Sequence, residues 1–209
     1  MKDTGSGVVI YIDIIGSRKI TSKTDMELHV STMRDFMSKN SEYGIFDIWK
    51  GLDEYMIISP DWLFAIQTIL KVQEILHPYR QRFVLTTIGN VDFSKPIHEM
   101  DDKAFVLLSD GMTKLKKTGL YVDIITPGKD LLLDSLNVIL NALIIIKNSF
   151  TANQMDVYRM YKTGISQKEI AAQINKSQQY VSDTLNRIKF ENLNMLEDKL
   201  NHIIHGINE

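Results

Sequence analysis

The sequence predicts an α+β N-terminal part followed by an all-α C-terminal part, and three observations carry that division. Val8 to Ile15 is a continuous apolar run broken only by Asp13 and stopped by Gly16, the pattern of a central buried strand. Behind it, strand and helix patterns alternate as far as Thr126. From Thr151 onward only helical periodicity remains, in short segments opened by hydroxyl residues.

Asp25 is placed to cap a helix over Met26 to Tyr43, with Leu28, Met33, Phe36 and Met37 on one side. Ile45 to Ile58 is strand-rich and interrupted near Lys50-Gly51-Leu52-Asp53-Glu54, which predicts a hairpin. Asp61 caps a helix running to about His77, where Pro78 ends it, and Arg82 to Phe93 returns as a strand; a Gly89-Asn90 turn with no glycine-rich pattern around it offers no phosphate cradle. Asp101 or Asp102 opens a helix through Lys117, Gly119 ends it, and Leu120 to Thr126 is a last strand before Pro127-Gly128. The first six elements run strand, helix, strand, strand, helix, strand, a split βαβ unit with its helices on one face of a mainly antiparallel sheet. Residues 1–128 are therefore expected to be a ferredoxin-like domain.

Residues 129–150 are apolar almost all round, with Asp134, Asn137, Asn141 and Asn148 as one narrow polar stripe. These polar residues interrupt the roughly 18–20 apolar residues that a membrane span needs. A buried connector helix is expected instead, sandwiched between two domains or packed against its copy in a dimer.

With 209 residues, 44% hydrophobic and 24% charged, the composition is that of an ordinary soluble chain. The absence of cysteine excludes a disulfide framework, a Cys-based zinc site and a thiol nucleophile. No signal-peptide pattern precedes the first strand, so a cytoplasmic location is expected. The histidines are too scattered along the chain to suggest a ligand set.

Residues 151–209 carry the strongest pattern. Thr151 or Asn153 caps a helix to Thr163 with Met155, Val157, Tyr158 and Tyr161 inward. Ser166 caps the next over Gln167-Lys168-Glu169, with Glu169 reaching back as in a capping box. Ile170, Ala171 and Ile174 form its apolar face, Asn175-Lys176-Ser177 supply a tight turn, and Val181, Leu185 and Ile188 stripe the helix after it. Small Ala171 suits the point where two crossing helices meet, and Asn175 tolerates the left-handed conformation. This is a helix-turn-helix pattern. Left outside are Ser177, Gln178, Gln179, Ser182, Asp183, Asn186 and Arg187, amide and hydroxyl groups suited to base edges, with Lys168, Lys176, Arg187 and Lys189 near phosphates. The bland alternative is an ordinary helical hairpin.

Charge follows the same division. Residues 151–190 hold six cations (Arg159, Lys162, Lys168, Lys176, Arg187, Lys189) and three anions (Asp156, Glu169, Asp183), a balance of +3 within a chain of net charge −2, so the rest totals −5. A segment so mildly basic binds duplex DNA weakly alone, so a homodimer on two half-sites is expected. Leu193, Leu196, Leu200, Ile203 and Ile207 recur at heptad spacing after Ile188, either as a short coiled coil or as a helix packing on its own domain.

Gly164-Ile165-Ser166, Lys168-Glu169-Ile170-Ala171 and Val181 resemble the helix-turn-helix of LuxR-type response regulators and sigma-factor region four, with Lys176 standing where an apolar residue is usual. Tyr11-Ile12-Asp13-Ile14-Ile15-Gly16-Ser17 resembles the metal-binding first strand of class III nucleotidyl cyclases. Gly51-Leu52-Asp53-Glu54-Tyr55 resembles the hairpin of cyclases and GGDEF proteins, with Leu52 where a glycine is usual. The order of elements, with Asp13-Ile14-Ile15-Gly16-Ser17-Arg18 and Asp101-Asp102-Lys103-Ala104-Phe105, is similar to the SatD family of bacterial proteins over nearly the full chain. That resemblance implies a nucleotidyl cyclase-like domain in which Asp13, the Ile14 carbonyl and Asp53 bind magnesium or manganese with a nucleotide. Read from the residues alone, Asp13 can equally serve the Gly16-Ser17-Arg18 turn, with Asp53 and Glu54 solvated. Arg18, Lys19 and Lys50 are the cations nearest in sequence, and none has the context of a catalytic group, so no catalytic residue is assigned. Three functions are thus in view: a DNA-binding transcription regulator coupled to a degenerate nucleotide- or metal-sensing domain, a metal-dependent nucleotidyl cyclase-like enzyme, and a protein-interaction module without ligand.

Overall fold

A computed structural model describes residues 5–17, 23–100, 103–126, 128 and 130–206, with the side chains of residues 23–25 excepted. Its described elements are five strands, eight α-helices and two short 3-10 turns, an α+β arrangement with the later helices following the sheet. Arg18, Lys19, Asp101, Asp102, Pro127 and Ile207 lie outside the described residues.

Strand β1 (Gly5–Ile14) is central because its residues are apolar on both sides, and the sheet order is β2-β3-β1-β4-β5. The hairpin β2 (Ile45–Lys50) and β3 (Glu54–Ser59) turns where expected, with Gly51 at φ +61. β3 and β4 (Gln81–Val91) flank β1 antiparallel, while β5 (Val122–Ile124) runs parallel to β4. Gly89-Asn90 is not a turn. It lies within β4, where the pairing shifts by one residue opposite Gly5 to Gly7 and Asn90 takes φ +53, a bulge.

Alternation sorts the side chains onto two faces. Val8, Ile10, Ile12 and Ile14 face α1 (Lys23–Lys39) and α2 (Trp62–Ile75), whereas Val9 and Tyr11 face α3 (Lys103–Leu115) through Phe105, Leu108 and Met112. Helix α1 begins before Asp25, so that residue lies inside the first turn and is not the cap. Asp61 does cap α2, its carboxylate accepting from Phe64 N at 2.9 Å.

Helix α4 (Leu131–Lys147), capped by Asp130, differs from expectation. One side is buried through Leu133, Leu136, Leu140 and Ile144, but the outer side exposes several aliphatic residues, while Asn141 is buried, Asn137 and Asn148 are half-buried and Asp134 is exposed. The Asn141 Oδ1 accepts from Tyr121 N and Val122 N at 2.8 and 3.1 Å, and its Nδ2 donates to Val122 O at 3.0 Å, so α4 satisfies the free edge of β5. Four helices follow: α5 (Ala152–Lys162), α6 (Gln167–Gln173), α7 (Gln178–Arg187) and α8 (Phe190–His205). Their apolar faces join the core of the α1 and α2 side, so one cluster runs from Ile10 to Ile204. Helix α8 packs through Leu193, Glu197, Leu200 and Ile204, leaving Leu196 and Ile203 exposed. No single helix among the described residues is long and apolar enough to cross a membrane.

Candidate nucleic-acid interface

Three caps set the frames of α5, α6 and α7. Thr151 and Gln154 close a capping box at 2.8 and 3.3 Å, and Ser166 and Glu169 close another, with Ser166 N donating to Glu169 Oε2 at 3.0 Å. The two bonds from Ser166 hold the Glu169 carboxyl below its usual range. Ser177 Oγ accepts from Tyr180 N at 3.1 Å and starts α7.

Between α6 and α7 the chain reverses at Asn175, φ +53, and Lys176 N donates to Ala171 O at 2.9 Å. Ile170, Ala171, Val181, Leu185 and Ile188 are buried together, as their spacing required. The outer face of α7 then follows from geometry: Gln178, Gln179, Asp183, Asn186 and Arg187 are exposed and Ser182 is half-buried. Lys168, Lys176, Ser177 and Lys189 are exposed around it. Gln179 Nε2 donates to Asp183 Oδ1 at 2.8 Å, which ties the two side chains along the helix. Lys176, exposed, holds its Nζ 5.9 Å from the Tyr180 ring, within reach of a cation–π contact. A groove of about 330 Å³ runs beside α7, with Gln167, Ser182, Asn186 and Lys189 on its wall.

Two of the six cations counted in this segment are spent internally. Arg159 pairs with Asp156, and Lys162 Nζ bonds Glu74 Oε1 at 2.9 Å and Glu197 Oε2 at 2.5 Å. Lys147, fully buried at the end of α4, lies between the same two carboxylates at 2.6 and 2.5 Å, and Tyr158 donates to Glu197 at 2.7 Å. This balanced network joins α2, α4, α5 and α8 and fixes the three-helix unit to the sheet layer. Burial pushes the Glu197 carboxyl up, but Lys147 and Lys162 outweigh it and hold the group down at about 2. Nothing in the sequence spacing announced this network. The one available signal was a lone lysine ending an apolar helix.

On the sheet, Asp13 stands opposite Glu54 in the β1–β3 register, while Asp53 remains in the turn. Lys116 Nζ is 2.6 Å from Asp13 Oδ1 and 3.3 Å from Glu54 Oε1, and Arg82 donates to Asp13 Oδ2 at 3.2 Å. Ser17 Oγ donates to Asp53 Oδ2 at 2.5 Å, and Tyr11 donates to Glu54 Oε2 at 2.5 Å. Burial lowers the Lys116 ammonium, but the hydrogen bond and charge of Asp13 more than offset this and raise it. Burial, followed by the bond to Glu54, drives the Tyr11 hydroxyl far up, so it stays a donor. The Ile14 carbonyl belongs to the same strand end, where Ile14 N donates to Asp53 O at 3.0 Å. The Lys116 ammonium and the Arg82 guanidinium already hold Asp13 on both oxygens, and among the described residues no group of three His, Asp or Glu is placed to hold a metal ion. A magnesium or manganese ion on Asp13, the Ile14 carbonyl and Asp53 does not fit these partners. Arg82 and Lys116, which neutralise the carboxylates, were not among the cations that sequence proximity singled out.

No protein-family model matches the chain, and no curated protein matches it.

Proposed function

We propose that this chain is a DNA-binding transcription regulator of the SatD type, acting as a homodimer inside the cell. In this reading α5, α6 and α7 form a helix-turn-helix with α7 as the helix that enters the major groove. The observation that carries it is the outer face of α7, where Gln178, Gln179, Asp183, Asn186 and Arg187 stand free of the core while Val181 and Leu185 pin the helix from behind. Lys168, Lys176 and Lys189 flank that face at positions suited to phosphates, and the groove beside Asn186 offers amide and ammonium donors to the sugar-phosphate backbone. The N-terminal sheet, with the strand order of a ferredoxin-like fold, serves as a degenerate cyclase-like platform. The ion pairs from Lys116 and Arg82 to Asp13 weigh against the cyclase-like enzyme, since they take the oxygens that a catalytic cation would need. Selection from a random duplex pool, followed by fluorescence anisotropy on the enriched sequence at several salt concentrations, tests the reading. Enrichment of one motif supports it, and failure to bind any duplex at low ionic strength overturns it.

A further inference from the structure

Helix α4 presents to solvent a side that should not be there in a finished assembly. Leu131 is 82% exposed, Val138 70% and Ile145 49%, one every seven residues along the same edge. Between them on that edge stand Ser135, Ala142 and Ser149, all exposed and all small. Leu132 and Ile146 flank the row and are also exposed. Meanwhile Asn141 is buried against β5 and Lys147 against Glu74 and Glu197, so two polar residues occupy the buried side of this helix while five aliphatic ones stand in solvent. The five aliphatic side chains carry roughly 500 Å² of accessible apolar surface, at the upper end for the largest patch of an ordinary monomer.

The order of large and small residues identifies the occupant. Reversing the row end for end about Leu140 sets Leu131 against Ser149, Ser135 against Ile145 and Val138 against Ala142, so each large side chain of the central row meets a small one, while the flanking Leu132 and Ile146 come level with Asn148 and Asp134. A surface that complements its own reversal is what a two-fold axis requires, because both sides of such an interface are the same patch. Two copies would remove up to about 1,000 Å² of apolar surface from water through these residues if all five were covered, near the size at which a specific interface begins. Charge selects the same orientation. Asp134 lies at the edge of the row, and a parallel pair would bring the two Asp134 carboxylates together, whereas the reversed pair separates them along a helix about 25 Å long.

We infer that the exposed face of α4 is the surface on which a second copy of this chain docks, with the two α4 helices antiparallel across a two-fold axis at Leu140. The inference stands on a surface separate from α7, and it holds whether or not α7 reads DNA.

Sedimentation equilibrium of the full chain without DNA reads the assembly directly. The expected result is a species of twice the 24.0 kDa chain mass, and Val138→Glu, at an exposed position, is expected to weaken self-association by roughly 100-fold with an unchanged far-ultraviolet circular dichroism spectrum. Cysteine-specific cross-linking fixes the orientation, since the chain has no cysteine of its own. With a short bismaleimide, the double variant Leu131→Cys with Ser149→Cys gives covalent dimers and neither single variant does. A chain that sediments as a monomer up to about 100 μM, far above the range of a specific dimer, overturns the inference. So does a dimer that survives Val138→Glu, and cross-linking of Leu131→Cys to itself overturns the antiparallel arrangement. Loss of DNA binding in a chain that still dimerises would instead remove the functional reading and leave this one standing.

Discussion

Lys147 Nζ lies 2.5 Å from Glu197 Oε1, with the lysine wholly shielded from water, and that contact ties the last turn of α4 to the middle of α8. Glu74 from α2 and Lys162 from α5 complete two carboxylates and two ammoniums in one buried group. The helices that would read DNA are thereby held at a fixed place relative to the sheet.

The first expected outcome concerns acid. The Glu197 carboxyl falls from 4.5 to about 2 on folding, so its contribution is fully present above the unfolded value and is lost as the pH falls through the folded one. Stability on the order of 3 kcal/mol should therefore disappear between about pH 5 and pH 2. Urea unfolding at successive pH values measures it, and Glu197→Gln should flatten the slope in that window. At the other end, burial lowers the Lys162 ammonium but Glu74 and Glu197 raise it above 10.5, so its contribution is lost only as the pH rises through that higher value.

A second outcome separates the pair from its surroundings. Lys147→Met should cost about 3–5 kcal/mol, because the two buried carboxylates then have Lys162 between them and only the more distant Lys71, 3.9 Å from Glu74, besides. Adding Glu197→Gln to that variant should cost less than the two single losses summed. A double-mutant cycle in guanidinium chloride gives the coupling, and additive losses would show that the contact does not join the helices energetically.

Recognition and affinity should split between residues of one helix and its turn. Gln179→Ala and Asn186→Ala are expected to change which sequences bind, by about 1–3 kcal/mol at the bases they reach. Gln179→Ala has a further effect, since it also frees Asp183. Lys176→Ala should weaken binding to all duplexes alike and reduce the salt slope by about 1. Anisotropy on matched and mismatched duplexes distinguishes these effects, and equal losses on every DNA for all three would remove the recognition assignment.

The cluster at the end of β1 gives the fourth. Manganese should leave the melting temperature of the native chain unchanged, because Lys116 and Arg82 already hold Asp13. Lys116→Ala should lower the melting temperature by leaving Asp13 and Glu54 less compensated, and manganese should restore part of the loss. Calorimetry of both chains with and without the ion provides the comparison. Manganese stabilising the native chain would show that the lysine does not close the site.

Position along the chain made much of this legible and hid the rest. Ser166 with Glu169, Asn175 in the turn, and Val181 with Leu185 are local relations within a few residues, so periodicity and capping chemistry were enough to find the three-helix unit and the exposed face of α7. The burial of β1 on both faces likewise followed from residue type alone. Spacing said nothing of partners far apart in the chain, such as Lys116 with Asp13 or Lys162 with Glu74. It also read α4 as buried all round, when one side with Leu131, Val138 and Ile145 stands in solvent and Asn141 is turned to the backbone of β5.

What the sequence determined by itself was therefore most of what hydrogen bonds within its own few turns: the caps at Asp61, Thr151, Ser166 and Ser177 and the hairpin at Gly51, though not a cap at Asp25 or a turn at Gly89-Asn90. Only the tertiary structure decided which charges meet and which side of α4 is left to solvent. The physical reason is that ion pairing and edge satisfaction depend on distances across the fold, and the otherwise unpaired backbone donors before and in β5 place Asn141 among the leucines on the buried side of α4.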